Sequence, residues 1–325
     1  MTGGAGFLGS HLVGRLLKEG FKVKVFDNSW RGSKRNLGEL LNHIEFIEGD
    51  IRDFNAVRNA IKNTDVIYHL ASVQGTKHFY LNPDLALEVG LIGNMNVAKA
   101  AVEAKVKRII FTSSSEVYGI PEYIPTDESH PMIIPDIKNP RWSYAIQKIA
   151  GEGIFLNYGR KFGFTTTIVR IHNAYGPKMG WNHVIPEFIK RIVLNETFTV
   201  QGKGTETRSF CFIDDIIEGI FLSATKEEGK NEIFNIGNPK EEVSINQLVK
   251  SLSKICGKNL NSVYVESPEG STEKRKPDIS KASKLIGYKP RVNLDRGLKK
   301  TFDWYNNEIN WWLENKTPKE YPWNR

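Results

Sequence analysis

A doubly wound parallel α/β sheet, with a smaller α/β domain appended at its C-terminal end, is the fold class this sequence predicts. Two observations carry that prediction: short β-rich apolar runs alternate with longer amphipathic segments, and a glycine-rich turn opens the first helix. The strand candidates are residues 22–27, 44–49, 66–71, 108–113 and 166–171. Helical stretches fall at about 10–19, 54–62, 85–104 and 143–162. Strands separated by helices cross over right-handedly to lie parallel, which covers both faces of the sheet. After Gly176-Pro177 the rhythm loosens, with helices near 184–195, 214–226 and 245–256 and a last one near 295–313. Leu298, Phe302, Tyr305, Ile309 and Trp312 share one side of that last helix, an aromatic stripe expected to pack into a core. The expected division is 1–175 for the sheet domain and 176–325 mainly for the second domain, with some segments returning to the sheet.

A chain of 325 residues has room for one large domain and a small one. Its 40% hydrophobic and 25% charged content is that of a globular protein. No apolar run is expected to reach the roughly 18 residues that span a bilayer. The start, Met1-Thr2-Gly3-Gly4, also lacks the basic-then-apolar layout of a secretory signal, so no membrane partner is expected. Cys211 and Cys256 cannot build a disulfide framework and neither sits in a CxxC pair; a reducing cytoplasm is the expected location. The net charge of +8 points to anionic partners. Its cations are spread along the chain, and the densest stretch, Glu273-Lys274-Arg275-Lys276, contains an acid, so a diphosphate ligand is expected and nucleic acid is not.

Gly4-Ala5-Gly6-Phe7-Leu8-Gly9 satisfies G-x-G-x-x-G, and Gly3, Gly6 and Gly9 also satisfy G-x-x-G-x-x-G. Glycines permit the tight turn, let the backbone approach a pyrophosphate and allow close helix packing, while the helix N-terminus favours the anion. The next strand ends in Asp27, about 20 residues on, with Asn28 following. A carboxylate there accepts from adenosine ribose hydroxyls and repels a 2′-phosphate, so the cofactor predicted for this Rossmann-type sheet is NAD rather than NADP. Asp50-Ile51 after the third strand and Leu70-Ala71-Ser72 after the fourth fall at strand ends, where open α/β sheets bind ligands. The loop begins at residue 3 although such a loop is delivered by a strand, so the first strand is expected to be truncated, with a short apolar run belonging ahead of Thr2.

Tyr144 and Lys148 are four apart, hence on one face of a helix. A free tyrosine titrates at roughly 10, too high for a base at neutral pH, and a nearby ammonium stabilises its phenolate. Ser114, at the end of the fifth strand, supplies a hydroxyl beside the reacting carbinol. His69, His78, His172 and His183 show no metal-ligand spacing, so no metal is expected.

The order of Gly3/Gly6/Gly9, Asp27, Gly49-Asp50-Ile51, Ser114, Tyr144/Lys148 and Asn173-Ala174-Tyr175-Gly176-Pro177 resembles the extended short-chain dehydrogenase/reductase superfamily, in its nucleotide-sugar epimerase/dehydratase branch. The resemblance implies that Tyr144 is the acid/base on a sugar hydroxyl, that Lys148 holds the nicotinamide ribose, and that Ser114 binds the same sugar oxygen. It implies a nucleotide-diphospho-sugar substrate contacted by Asn173 and the segment around His183 and Val184, with His172 facing it, and with Arg208 and Arg275 clamping the diphosphate. It also implies a homodimer through the helices near 85–104 and 143–162. Two departures stand out: members often carry an asparagine near Gly90 and a lysine or arginine near Gln74.

A 4-keto sugar is the shared intermediate of that branch. Return of the hydride on the other face makes a 4-epimerase, loss of water a 4,6-dehydratase, and loss of CO₂ from a uronate a decarboxylase. Glu116 bears on the choice, because proton abstraction at C5 needs a second base and epimerisation does not. Ser-Ser-Glu resembles the Ser/Thr-x-Glu of some dehydratases and decarboxylases, but Ser115 stands where some dehydratases use an aspartic acid. The expectation is a UDP-sugar 4-epimerase, with the dehydratase and decarboxylase as alternatives. A non-catalytic NAD(H)-binding regulator is the alternative of another class.

Overall fold

The computed structural model describes residues 1–267, 270 and 272–315, excepting the side chains of 76, 77, 312, 313 and 315. Six strands form its main layer: β1 (Lys24–Asp27), β2 (Glu45–Glu48), β3 (Val66–His69), β4 (Arg108–Ser114), β5 (Thr165–Ile171) and β6 (Ile233–Ile236). β2 pairs with β1, and β3-β4-β5-β6 run side by side, all parallel. β4 is buried along its whole length, as a strand covered by helices on both faces must be.

Residues 1–3 lie where the strand ahead of the glycine turn is expected. Thr2 bridges in parallel to both Phe26 of β1 and His69 of β3 and so joins the two halves of the sheet. The Thr2 amide donates to Tyr68 O (3.0 Å) and the Gly3 amide to Phe26 O (2.9 Å). Beneath the turn a buried relay continues this register. Thr2 Oγ1 accepts from the Ala71 amide and lies 2.6 Å from His69 Nδ1, while His69 Nε2 lies 2.8 Å from Asn94 Oδ1. Donor and acceptor roles close only for the neutral Nε2–H tautomer, and burial holds His69 down at about 3.

The predicted strands and helices of the first half are present with ends moved by up to three residues. One sequence expectation is corrected. The helix Pro83–Glu103 is 21 residues long with mean hydropathy 1.2, enough by length and composition to cross a membrane. It is 56% buried and packs between the helices Phe54–Ile61 and Ser143–Phe162, so its apolarity faces the fold. A π turn at Val89–Gly93 interrupts it. There a Cβ on Gly90 would sit 2.1 Å from Gln147 Oε1, so the side chain of Gln147 fills the place that an asparagine near Gly90 is expected to take.

β6 returns to the main sheet beside β5, and the helix Ile213–Thr225 packs against the first helix, Phe7–Lys18. The remaining C-terminal segments build a three-stranded sheet in which Thr207–Ser209 lies between Glu242–Ser244, antiparallel, and Lys274–Arg275, parallel. One hydrophobic core runs from Leu12, Val13 and Leu16 through Ile189 and Ile216 to Leu298, so the two layers are fused by shared packing. Leu298, Tyr305 and Ile309 are buried as the stripe requires, Phe302 packs at the core's edge, and the side chain of Trp312 lies outside the described residues.

Candidate active site

The helix Phe7–Lys18 starts at Gly6 with no side-chain cap, leaving its first amides open to an anion at the sheet edge. The glycines here answer to sterics. A Cβ on Gly9 would fall 2.2 Å from Gly3 O, and Gly3 itself has φ +72° with Ala71 N 2.7 Å from its missing Cβ. Such a cradle suits the close approach of a dinucleotide pyrophosphate. All the residues predicted for the cofactor from Gly3 to Ser72 line one cleft of about 1060 Å³, open mouth included: Gly3, Gly6, Phe7, Leu8, Gly9, Asp27, Asn28, Asp50, Ile51, Leu70, Ala71 and Ser72.

Asp27 ends β1 with its carboxylate accepting from Ala5 N (2.9 Å) and Ser29 N (2.8 Å). Burial raises its pKa against the pull of those two donors. Asn28 donates to Asp50 at 3.2 Å. His183, expected among the substrate contacts, lines this same cleft, and burial with the nearby Arg31 holds it down at about 3. Arg31, which with Lys34 follows Asp27 in sequence and tempers the preference for NAD over NADP, lines it as well; Trp30, Lys178 and Met179 also line it and were not singled out by sequence, since none lies in the glycine motif or at a predicted strand end.

Tyr144 and Lys148 are both buried at the start of the helix Ser143–Phe162. Phe79 stacks on the Tyr144 ring at 4.9 Å and 18°. Burial and then Glu116 push the Tyr144 hydroxyl well above its usual 10, opposed by its hydrogen bond with Ser114 and by Arg31. Lys148 Nζ donates to Thr112 O (2.8 Å) and lies 5.6 Å from the Tyr144 ring centre. Burial brings its ammonium down to about 7, with Glu152 opposing. Burial thus disfavours both charged forms, the Tyr144 phenolate and the Lys148 ammonium, on one face of the helix.

Ser114 ends β4 and its hydroxyl accepts from the Glu116 amide at 3.2 Å, which starts the turn Ser115–Tyr118. Glu116 then meets the C-terminal sheet. Arg275 donates to both its carboxylate oxygens, with Nη2 2.9 Å from Oε2, and Arg141 Nη2 lies 3.5 Å away. The strand register sets Arg275 opposite Arg208, so a third guanidinium joins them. Burial alone would raise the Glu116 carboxyl; Arg275, Arg141 and Arg208 outweigh it and hold it at about 2. Arg208 donates to the carbonyls of Thr207, Thr272 and Glu273, and burial and Arg275 bring it down to about 10. The Nε atoms of Arg141 and Arg275 are buried and make no hydrogen bond within the described residues.

Of the other expected substrate contacts, Asn173 donates to Ser209 O at 3.3 Å, and Val184 begins the helix Val184–Leu194 and packs at the core. The expectation that His172 faces a substrate is corrected. It is 2% exposed, with Nε2 3.0 Å from Asn235 Oδ1, and burial takes it down to about 4. Its place at the end of β5 turns it toward β6, beneath the site. Among the described residues no group of three or more His, Cys, Asp or Glu is placed to hold a metal.

The model of the NAD dependent epimerase/dehydratase family matches residues 1–237. The chain is 36% identical over 316 residues to the UDP-N-acetyl-alpha-D-glucosaminuronate decarboxylase of Bacillus cytotoxicus, covering 94% of this chain and 96% of that one. Its fold matches the UDP-glucose 4-epimerase of Thermotoga maritima, solved with UDP-glucose, at a TM-score of 0.87 and 29% identity over 95% of this chain and 98% of the other. It matches the dTDP-glucose 4,6-dehydratase of Streptomyces venezuelae, solved with NAD, at 0.88 and 28% over 96% and 98%. The chain belongs to the NAD dependent epimerase/dehydratase family: an enzyme with the Rossmann-type sheet of that group, whose cofactor is NAD.

Proposed function

We propose that the enzyme decarboxylates a UDP-linked uronic acid through a 4-keto sugar. The observation that carries this reading is the cluster of Arg275, Arg141 and Arg208 around Glu116, beside Ser114 and Tyr144. Three guanidinium charges against one carboxylate leave two in excess, which match the two negative charges of a diphosphate at Arg208 and Arg275. A carboxyl held at about 2 is a poor base for C5, which speaks against dehydration. Epimerisation gives Glu116 nothing to do, whereas loss of CO₂ needs an oriented carboxylate and no C5 base.

In this reading Ser114 and Tyr144 bind the C4 oxygen, and Tyr144 takes its proton with the Lys148 ammonium close by. Bound NAD supplies the hydride acceptor and donor at C4. Once C4 is a ketone, the C5–C6 bond breaks, C6 leaves as CO₂, and the electron pair passes into the C4 carbonyl as an enolate. Tyr144 hydrogen-bonds that oxygen while solvent delivers a proton to C5. Gly3, Gly6 and Gly9 with the helix N-terminus hold the cofactor's diphosphate, and Asp27 its ribose. Residues 1–175 serve mainly the cofactor and 176–325 mainly the nucleotide-sugar.

Leu81, Leu91, Ile92 and Phe162 are exposed apolar side chains on or beside the helices Pro83–Glu103 and Ser143–Phe162, which fits a homodimer through that face. Cys211 and Cys256 are unbridged, which fits the cytoplasm.

The test offers UDP-glucuronic acid and, separately, a UDP-hexose to the enzyme in deuterated water. The reading expects CO₂, a pentose product and deuterium at C5. A product of unchanged mass without label would make the enzyme a 4-epimerase; loss of water from a UDP-hexose with label at C5 would make it a dehydratase.

A further inference from the structure

We propose that Arg31 is a cofactor-binding residue that reaches across the cleft from the turn after β1 and straps the diphosphate of NAD against the glycine loop. The side chain leaves one wall of the cleft and ends against two others. A Cβ on Gly75, after β3, would lie 2.9 Å from Arg31 Nη1, and a Cβ on Gly180, after β5, would lie 3.1 Å from Nη2. Both positions are glycine, which lets the guanidinium come close to two separate segments. The crossing is fastened at its side: Trp30 packs on His78 at 5.2 Å between ring centres, and Asn182 Nδ2 lies 3.4 Å from His78 Nε2.

A guanidinium fork suits the doubly anionic part of the cofactor, its diphosphate. Arg31 and Lys178 line the same cleft as Asp27, Asp50 and Gly6, where the uncapped helix begins. A diphosphate between a guanidinium fork and helix amides is bound from two sides. Burial brings Arg31 down only to about 10, so it stays charged at neutral pH. Retention has a use here, because a cofactor lost in mid-reaction leaves the sugar stranded as a ketone.

The experiment measures release of NAD from the purified protein by stopped-flow dilution, with no sugar present, so its outcome is independent of which sugar is processed. Arg31→Ala should speed release about 10-fold or more, Arg31→Lys less, because it keeps the charge without the fork. Gly180→Ala, whose methyl displaces the guanidinium while leaving its charge, should also speed release. Wild-type release should quicken with salt and that of Arg31→Ala should not. Unchanged release in folded Arg31→Ala and Gly180→Ala would overturn the proposal, as would a rise in nucleotide-sugar KM with NAD release unaltered.

Discussion

Two carboxylate–guanidinium pairs stand within one wall of the molecule and have opposite fates. Glu152 and Arg170 join the helix Ser143–Phe162 to β5 in a bidentate pair, Nε–Oε1 2.9 Å and Nη2–Oε2 2.7 Å, with side chains only 2% and 3% exposed. Every remaining valence there is used: Ser113 donates to Glu152 at 2.5 Å, and Arg170 reaches Tyr118 and the carbonyl of Glu128. Glu116 and Arg275 make the same bidentate contact, but Glu116 is 20% exposed, two more arginines crowd it, and the Arg275 Nε is unmatched. The same chemistry is therefore a sealed staple in one place and an open site in the other. What separates them is the surplus of donors and the greater exposure of Glu116. The sealed pair holds the helix that carries Tyr144 and Lys148; the open pair is the one proposed above to meet the substrate.

Tyr144→Phe sets the scale at the site, since it removes the proton acceptor and little volume. Turnover should fall by about 10² to 10⁴-fold with nucleotide-sugar affinity nearly intact, read by steady-state kinetics and calorimetry. Near-normal turnover would assign the base elsewhere.

Exchanging one carboxylate at a time sharpens the comparison. Glu152→Gln should lower unfolding stability by about 3 to 5 kcal/mol, because it strands a buried guanidinium. Glu116→Gln should lose less stability but about 10²-fold in turnover, because Arg275 and Arg141 lose the carboxylate that positions them. Urea denaturation beside a turnover assay reads both, and equal losses in the two variants would erase the distinction.

Acid isolates the open pair. Because the folded Glu116 carboxyl lies near 2, below its usual 4.5, its stabilisation is fully present above pH 4.5 and is lost as pH falls toward 2. The shift is worth on the order of 3 kcal/mol. Denaturation midpoints of the wild type and Glu116→Gln should therefore converge between those pH values; parallel curves would show that the pair contributes nothing.

The smallest effect is expected at Asp27, which shares its oxygens with Ala5 and Ser29. Asp27→Ala should narrow the preference for NAD over NADP by about 10-fold, measured by cofactor titration. An unchanged preference would place the discrimination elsewhere in the cleft.

Much of the site was legible because its parts are local. A strand–turn–helix places the glycines, a strand end places Asp27 and Ser114, and a four-residue helical step places Tyr144 over Lys148; each geometry is set within one or two turns of chain. The apolar helix Pro83–Glu103 was misjudged for the opposite reason. Its Asn94 and Asn96 interrupt the apolar run in sequence, yet both are buried, Asn94 against His69 and Asn96 donating to the carbonyls of Ile51 and Arg52. Likewise His172 reads as a neighbour of Asn173, and only the pairing of β5 with β6 turns it to Asn235.

By itself, then, the sequence determined the parallel sheet, the dinucleotide loop and the Ser114–Tyr144–Lys148 chemistry, because period and spacing encode contacts between near neighbours. Tertiary structure alone decided that Glu116 would meet Arg275 across 159 residues, and that Arg31 would end on Gly75 and Gly180. Those contacts depend on how the C-terminal sheet and the loop after β5 dock on the main layer. That docking comes from one shared hydrophobic core running from Leu12 to Leu298, assembled from segments whose pairing no local pattern records.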